Sequence, residues 1–257
     1  MTKVGVFLAK IVAIVNQKGG VGKTTTCVNL TSSLKEKGNR VLLCDFDPQA
    51  NSTSGMGVDK AASRGVYDVL INGADVERAV VSTKYGDVLP SNKALAGAGV
   101  EMIGIDHRET LLKQALDVLS PRYDYILIDA PAGLGPGFQY AVCGADRALV
   151  VATNDASSLR DAQHTVMELR QFSSGRLHLV VNRVRKKLLH SMHATIDDAM
   201  DKAGLPLIGV VPEDDALPVS LNQGTPLLLR SYNGAASAYR NIAIRLQGGK
   251  APLLRIR

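Results

Sequence analysis

A glycine-rich turn near the N-terminus carries residues that can hold a phosphate group. The run from Asn16 to Thr26 reads NQKGGVGKTTT, with three glycines, two lysines and three threonines. Glycines let the backbone curl so that successive N–H groups point at one anion, and the following lysine adds a positive charge. A threonine directly after that lysine can ligate the Mg²⁺ that accompanies a nucleotide. The turn therefore predicts nucleotide binding.

A strand and a helix flank this turn and would position it. Residues 11–16 are apolar and mostly β-branched, as in a buried parallel strand, and residues 24–37 are expected to form a helix that Gly38 ends. The helix N-terminus would direct its N–H groups and its positive dipole at the phosphates. We expect the nucleotide to contact Gly19, Gly20, Val21, Gly22, Lys23, Thr24 and Thr25, with Thr24 also a Mg²⁺ ligand.

Two aspartates follow a second apolar run. Residues 41–44 are Val-Leu-Leu-Cys and lead into Asp45 and Asp47. They would lie at the carboxyl end of a strand, which is the edge where open α/β sheets bind ligands. Taken alone, Asp47 and Pro48 also fit an ordinary turn after a strand. Their position after a phosphate-binding helix favours a role in the nucleotide site.

A third carboxylate ends the apolar run Tyr-Ile-Leu-Ile at residues 125–128. This residue, Asp129, is followed by the flexible sequence APAGLG. Four apolar residues before an acid occur often by chance, but here the motif follows the other two in the expected order. We assign Asp129 to Mg²⁺ binding through water, and residues 130–135 to a segment that moves when the γ-phosphate leaves.

The composition fits one α/β domain. The chain has 257 residues, of which 46% are hydrophobic, and it can bury one large core. Strand-like and helix-like runs alternate, which predicts a three-layer fold: a mostly parallel, twisted sheet with helices on both faces. We assign residues 1–247 to this domain and residues 248–257 to a short basic and apolar tail.

Several further elements are predicted along the chain. Helices are expected at 94–101, 109–119, 158–172, 193–203 and 235–246, and strands at 177–182 and 207–211. Ser158, with Asp161 three residues later, is a candidate capping box. The three cysteines have neither disulfide nor metal-binding spacing. The N-terminal apolar run continues into the first strand, so we expect no signal peptide, no membrane span and a cytoplasmic protein.

The loop departs from the common pattern G-x-x-x-x-G-K-[ST], because Gln17 stands where the first glycine is expected and Lys18 follows it. Lys18 to Thr24 resembles the deviant loop K-G-G-x-G-K-[ST] of the ParA/MinD family of dimeric ATPases. An isolated loop lysine is usually only solvated. The resemblance instead implies that Lys18 reaches the phosphates bound by the other subunit of a nucleotide-sandwich dimer, in the role of an arginine finger.

The same resemblance implies roles for four more residues. Asp47 would orient the attacking water and Asp45 would support the Mg²⁺ shell. Asn182 and the loop beginning at Pro212 would contact adenine, although Asn182 alone could be a polar strand cap. The guanine signature is absent, so ATP is favoured over GTP. The cofactors implied are ATP and Mg²⁺.

The likeness covers nearly the whole chain but points to two branches of the family. Residues 47–51 (DPQAN) and 89–92 (LPSN) look like partition proteins of the ParA/Soj type. Residues 129–133 (DAPAG) and 209–214 (GVVPED) look like MinD, the division-site ATPase. The sequence does not decide between the branches.

Charge suggests a partner surface. The net charge is +6, and Arg183, Arg185, Lys186 and Lys187 lie close together, followed by His190 and His193. These cations could bind DNA phosphates without reading the base sequence, although a basic loop is more often a solvated surface. The tail GGKAPLLRIR is short for a membrane-bound helix, so we expect it to be frayed, with membrane contact as the less favoured interpretation.

These features predict an ATP-dependent, dimerising switch ATPase that positions cellular components and is stimulated by a partner protein. The alternative is a metabolic enzyme of the same superfamily that uses ATP to activate a carboxylate. Amide synthetases of that kind carry a fused glutaminase region, for which this chain has no room. An iron–sulfur carrier would need paired cysteines, which are absent from the sequence.

Overall fold

One eight-stranded sheet organises the chain in a computed structural model that describes residues 8–61, 64–170, 172, 174–185 and 195–254. The strands are Lys10–Val15 (β1), Val41–Asp45 (β2), Val81–Thr83 (β3), Gly86–Leu89 (β4), Tyr125–Asp129 (β5), Arg147–Thr153 (β6), Leu177–Val184 (β7) and Leu207–Pro212 (β8). Their order is β3-β4-β2-β5-β1-β6-β7-β8. Only the pairing of β3 with β4 is antiparallel among these strands. The mostly parallel sheet predicted from the sequence is confirmed.

Helices cover both faces of this sheet. They are Lys23–Glu36 (α1), Asn51–Gly55 (α2), Val66–Ile71 (α3), Val76–Ala79 (α4), Leu95–Glu101 (α5), Leu111–Leu119 (α6), Pro136–Cys143 (α7), Ala156–Glu168 (α8), Ile196–Ala203 (α9), Ala216–Asn222 (α10) and Gly234–Leu246 (α11). None of the helices in the described ranges is long and apolar enough to cross a membrane.

Alternation along β1 shows how one strand serves two cores. Val12 and Ile14 pack into the cluster that includes buried residues of α1 and α11. Ala13 and Val15 belong to the cluster on the opposite face, beneath α5 to α9. Because successive strand side chains point to opposite faces, a strand covered by helices on both sides must be apolar throughout. This is why the run before the phosphate loop is continuously hydrophobic.

The helix predictions hold apart from their ends. Those at 94–101, 109–119 and 235–246 match α5, α6 and α11 to within two residues. The helix expected at 158–172 begins earlier, at Ala156, and ends at Glu168. The one expected at 193–203 is α9, which begins at Ile196, whereas residues 193 and 194 lie outside the described residues.

The capping box proposed for Ser158 and Asp161 is wrong. Asp155 is the N-cap of α8, and its carboxylate accepts a hydrogen bond from the backbone N–H of Ser158 at 2.9 Å. The Ser158 hydroxyl instead accepts from the N–H of Thr153 at 3.0 Å. Both residues are good caps, and the aspartate prevails because the chain turns from β6 into the helix one residue after it.

The expectation of a frayed tail is also wrong for the residues that the structure describes. Arg245 donates two hydrogen bonds to the carbonyl of Ala251, at 2.9 and 2.8 Å. The Asn241 amide donates to the carbonyl of Pro252 at 3.1 Å. Leu254 then packs against the core beneath α11. The residues up to Leu254 are therefore attached to α11.

Close packing of α11 on β8 should make Gly209 intolerant of any side chain. A Cβ at this position would lie 2.2 Å from Cγ1 of Ile242, which is fully buried. We expect Gly209→Ala to lower the free energy of unfolding by about 1–3 kcal/mol, as overpacking does. Urea denaturation would measure the loss, and Gly209→Ala should cost less in a protein that already carries Ile242→Ala. Gly175→Ala, whose Cβ would meet nothing within 4 Å, is the control. Equal stabilities for the two glycine variants would contradict this packing.

Candidate nucleotide-binding site

The phosphate loop joins β1 to α1 and depends on glycine at two positions. Gly20 and Gly22 have φ angles of 75° and 103°, in the left-handed region that other residues rarely adopt. A Cβ on Gly22 would lie 2.0 Å from Nδ2 of Asn182. Any side chain at position 22 would therefore be strained and would also collide with the neighbouring strand β7.

Lys23 lies inside this loop. Its Nζ donates to the carbonyls of Asn16 at 3.1 Å and Lys18 at 2.9 Å, so it bridges the two sides of the turn. Burial lowers the pKa of Lys23, and the negative charges of Asp129 and Asp47 only partly offset that effect. The lysine charge thus lies between the loop and the two aspartates, where a bound phosphate chain would need it.

Asn16 is a structural support of the loop that sequence reasoning missed. Its side-chain oxygen accepts from the backbone N–H of Lys18 at 2.9 Å, and its Nδ2 donates to the carbonyl of Val151 at 2.7 Å. The side chain is fully buried. A polar residue at the end of a continuous apolar strand was the available signal, but its partner in β6 lies 135 residues away.

Lys18 points away from the loop, toward the start of α8. Its Nζ lies 3.4 Å from a carboxylate oxygen of Asp155 and 3.1 Å from the hydroxyl of Ser157. The side chain is 35% exposed. Burial alone would raise the pKa of Asp155, but hydrogen bonds from Thr153 and Ser158 and the charge of Lys18 lower it below its usual value. Within one subunit, Lys18 is therefore held by α8.

Asp129 is the least satisfied carboxylate of the site. It is only 1% exposed, and neither oxygen has a hydrogen-bond partner among the described residues. Its strand neighbour across the sheet is Asp45. Burial, followed by repulsion from Asp45, raises the pKa of Asp129 to about 8, while the hydroxyls of Thr24 and Ser52 lower it to a smaller extent. A divalent cation or its water shell would supply the missing positive partner.

Asp45 lies beside Asp129, but both of its carboxylate oxygens accept hydrogen bonds. Its two oxygens accept from the N–H of Asp47 at 3.1 Å, from the N–H of Thr53 at 2.8 Å and from the Thr53 hydroxyl at 2.6 Å. Burial raises its pKa, and these hydrogen bonds oppose the rise. The Thr53 hydroxyl in turn accepts from the N–H of Ser91 at 3.0 Å. Asp45 thus fixes the segment that carries Asp47.

Asp47 follows β2 at the mouth of the site and is partly exposed. Its side chain accepts from the N–H of Gln49 at 2.9 Å, and its carbonyl accepts from the N–H of Ala50 at 2.9 Å. Ala50 then adopts a φ of 53° before α2 begins. The tight turn predicted from the sequence is present. It places Asp47 close enough to Lys23 for its negative charge to oppose the lowering of the lysine pKa by burial.

Asn182 and Pro212 end neighbouring strands on the other side of the loop. The Asn182 Nδ2 donates to the carbonyl of Val21 at 2.8 Å, and its Oδ1 has no partner among the described residues although it is buried. Pro212 is the last residue of β8 and pairs with Val184 of β7. A bound base that donates a hydrogen bond would satisfy the Asn182 oxygen. An exocyclic amino group, such as that of adenine, is a donor of this kind.

The proposed DNA patch is only partly described. Arg183 is exposed and has a φ of 54°, at a register shift between β7 and β8. Arg185 forms an ion pair with Glu213 at 3.4 Å. Lys186, Lys187, His190 and His193 lie outside the described residues. The described part of the patch therefore begins directly after Asn182.

A strand, a glycine loop and a helix with two aspartates opposite define a P-loop nucleotide-binding protein. A family model described as an AAA domain matches residues 9–179. The septum site-determining protein MinD of Synechocystis sp. is 33% identical over 248 residues, covering 95% of this chain and 92% of that protein. The sporulation initiation inhibitor protein Soj of Bacillus subtilis is 50% identical over 131 residues, covering 50% of this chain and 52% of that protein.

Solved structures agree with these relatives. The MinC:MinD cell division protein complex of Aquifex aeolicus has a TM-score of 0.84 at 31% identity, covering 97% of this chain and 100% of that one. MinD of Pyrococcus horikoshii, complexed with Mg-ADP, has a TM-score of 0.79 at 29% identity, covering 93% and 96%. Cobyrinic acid a,c-diamide synthase of Mycobacterium smegmatis, with an ATP analogue and magnesium, has a TM-score of 0.80 at 29% identity, covering 93% and 94%. The chain belongs to the ParA/MinD family of P-loop ATPases.

The buried Asp129 makes the stability of the Mg²⁺-free protein depend on pH. With a folded-state pKa of about 8 and an unfolded one of about 4, the folded protein binds more protons between these values. The free energy of unfolding should therefore fall as the pH rises through this window.

Asp129→Asn removes the titrating group while keeping its size. Its melting temperature should accordingly fall less than that of the wild type between about pH 5.5 and about pH 8. Thermal unfolding without nucleotide or Mg²⁺ measures both proteins. Parallel pH profiles would contradict the assignment.

Proposed function

We propose that this protein is an ATP-dependent dimerising switch that positions cellular components. The observation that carries the proposal is that two lysines of the loop lie in different positions. Lys23 bridges the loop from inside, whereas the partly exposed Lys18 lies on the outer side and is held by a surface ion pair with Asp155 and a hydrogen bond to the Ser157 hydroxyl. A lysine outside its own loop can serve a second subunit at little cost, because a surface ion pair is worth about 0–1 kcal/mol.

Nucleotide binding would use groups that are already in place. The loop N–H groups, Lys23 and the start of α1 would hold the phosphates, and Asn182 would accept from the adenine amino group. Thr24 and Asp129 would hold Mg²⁺, Asp129 through water. When bound, Mg²⁺ neutralises charge on the β- and γ-phosphates. The proton that Asp129 carries near neutral pH would leave when the cation binds.

Hydrolysis would depend on Asp47 and its support. Asp47 would orient a water toward the γ-phosphate, and Lys18 of the other subunit would stabilise the charge on the transferring group. The three hydrogen bonds to Asp45 favour a positioning role for that residue. Its contact with the Mg²⁺ water shell, implied by the family, stays a prediction.

A partner protein would set the rate. MinD of Aquifex aeolicus has been solved as a MinC:MinD complex, which supports a protein partner for this chain as well. The segments after Asp45 and Asp129 would be ordered through contact with a bound γ-phosphate, so basal turnover should be slow until a partner fixes those segments.

We propose that the ATP-bound dimer binds DNA. Arg183 and Arg185 begin a basic segment next to the base end of the site, and a dimer would carry it twice. Membrane contact through the tail has less support, because Arg245 and Asn241 bind the backbone of Ala251 and Pro252. Phosphate contacts of this kind carry no base-sequence preference.

Carboxylate activation is the second candidate, and the similarity to cobyrinic acid a,c-diamide synthase is the observation in its favour. The two functions differ in the acceptor of the phosphoryl group, which is water in the switch and a carboxylate in the synthetase. The switch hydrolyses ATP with water alone, whereas a synthetase would release phosphate only when its carboxylate substrate is present. ATP turnover by the purified protein without added substrate discriminates them.

Removing Lys18 should separate nucleotide binding from turnover. We expect Lys18→Ala to bind ATP normally but to lose about tenfold or more of its turnover at protein concentrations that favour dimers, since the charge that completes the site of the other subunit is lost. Phosphate release at increasing protein concentration measures this, with Lys84→Ala as an exposed-lysine control. Unchanged concentration dependence in Lys18→Ala would overturn the trans role.

Releasing Lys18 from α8 should have the opposite effect. Asp155→Asn keeps a cap for α8 but removes the charge that holds Lys18. We expect the ATP-bound dimer to form at protein concentrations up to about fivefold lower, which is the range allowed by a surface ion pair. Sedimentation velocity measures the midpoint, and a shift to higher concentration would contradict the proposal.

The DNA assignment can be tested with Asp47→Ala, which should accumulate the ATP-bound dimer. This protein should bind duplex DNA of arbitrary sequence with ATP but not ADP, and binding should weaken steeply with salt. The substitutions Arg183→Ala and Arg185→Ala should weaken it, whereas Lys35→Ala and Lys37→Ala, which remove an exposed basic pair of α1 and its end, should not. Binding to phosphatidylglycerol vesicles that is lost on deleting residues 250–257 would favour the membrane instead.

A further inference from the structure

The segment that follows Asp47 contains a strained residue. Ala50, directly before α2, has a φ of 53° and a ψ of 38°, in the left-handed region. This conformation brings the Cβ of an L-residue too close to a backbone carbonyl oxygen, so it is unfavourable for residues other than glycine. Ala50 is also buried, with 1% of its surface exposed. Contacts from the surrounding structure must therefore hold this turn in its conformation.

Lys60 contacts the residues on both sides of Ala50. Its Nζ donates to the carbonyl of Gln49 at 2.7 Å and to Oδ1 of Asn51 at 3.5 Å. Both acceptors are neutral, and Lys60 forms no ion pair with the described residues. Hydrogen bonds from a charged donor are stronger than those between neutral groups. The ammonium group of Lys60 thus spans the strained residue and holds its two neighbours.

A second turn holds Lys60 in place. The Asp59 carboxylate accepts a hydrogen bond from the N–H of Ala61 at 2.9 Å, which closes an Asx turn around Lys60. This turn lies beyond the end of α2, whereas Gln49 lies before its start. The chain therefore folds back after α2, so that a residue from beyond the helix fixes the turn that leads into it.

The strained turn is connected to Asp47 by two hydrogen bonds. The N–H of Gln49 donates to the Asp47 side chain, and the N–H of Ala50 donates to the Asp47 carbonyl, both at 2.9 Å. The peptide unit between Gln49 and Ala50 thus accepts from Lys60 at its oxygen and donates to Asp47 at its nitrogen. A change at Lys60 would reach Asp47 through this one peptide unit.

We propose that Lys60 is a positioning residue for ATP hydrolysis, because it holds the turn at Ala50 in the conformation that orients the Asp47 carboxylate. We call the contact of the Lys60 ammonium with Gln49 and Asn51 the Lys60 clamp. The proposal rests on the proposed function, in which Asp47 orients the attacking water. Lys60 acts through the turn and not on the phosphates. When the clamp opens, Ala50 can relax to a negative φ, and Asp47 loses its orientation.

Removing the Lys60 charge should lower turnover without weakening ATP binding. Lys60→Met keeps the apolar stem of the side chain but removes its donors. At protein concentrations where turnover has reached its plateau, we expect kcat to fall about fivefold or more, because the attacking water loses its orientation. The KM for ATP should change less than about twofold, since no contact with ATP is lost.

Lys93→Met is the matched control for this measurement. Lys93 lines the same surface cleft as Lys60, and its side chain is exposed. Its removal should leave both kcat and KM at their wild-type values. Unchanged kcat in Lys60→Met, an equal loss of kcat in Lys93→Met, or a raised KM at unchanged kcat would overturn the positioning role.

A glycine at position 50 should make Lys60 dispensable. Glycine adopts positive φ about as readily as negative φ, so Ala50→Gly removes the strain that the Lys60 clamp opposes. In the Ala50→Gly protein, adding Lys60→Met should lower kcat less than about twofold. A lysine that acts on the phosphates, or one that only stabilises the fold, would give the same loss with alanine or glycine at position 50. Equal losses in the two backgrounds would therefore overturn the proposal.

Amide hydrogen exchange tests the turn without ATP. In nucleotide-free protein, the N–H groups of Gln49 and Ala50 should exchange about fivefold faster or more in Lys60→Met, because the turn opens more often. The N–H groups of β1 should keep their wild-type rates, which excludes a general loss of stability. Unchanged exchange at Gln49 and Ala50 would overturn the clamp. Because this measurement needs no hydrolysis, failure of the switch proposal through Lys18→Ala and failure of the clamp are distinguishable.

Discussion

A buried carboxylate without a partner is the constraint on which this structure depends. Asp129 ends the strand β5 in a core where neither of its oxygens accepts a hydrogen bond from the described residues. An isolated charge in such a place is costly, and burial therefore raises the pKa of this carboxyl. A cation bound beside Asp129 would offset that cost, and Mg²⁺ binding would then be linked to the stability of the core.

Asp45, the neighbouring aspartate, also lies at the end of a strand, but it has a structural role. Asp45 ends β2 directly beside Asp129, yet three donors surround it. It joins the segment after β2 to the loop before α5 through Thr53 and Ser91. One carboxylate thus lacks a partner among the described residues, while the other holds the surrounding segments. A change at the first can reach the second because both lie on adjacent strands.

The parts of the site that are local in sequence could be predicted, and the long-range parts could not. The phosphate loop, the strand ending in Asp129 and the turn at Asp47 follow from a few consecutive residues. By contrast, Asn16 is explained only by Val151, and Lys18 is oriented by Asp155, 137 residues away. The cap of α8 was misassigned because Asp155 and Ser158 both suit that role. The tail was misjudged because Arg245 and Asn241 hold it from the preceding helix.

The central claim is that ATP joins two subunits, with Lys18 of each completing the site of the other. Equilibrium sedimentation of Asp47→Ala protein, with Mg²⁺ and either ATP or ADP, tests it most directly. The account predicts a dimer with ATP, a monomer with ADP, and a monomer in both nucleotides once Lys18→Ala is added. An identical mass with ATP and ADP, or an ATP-dependent dimer that persists without Lys18, would contradict it.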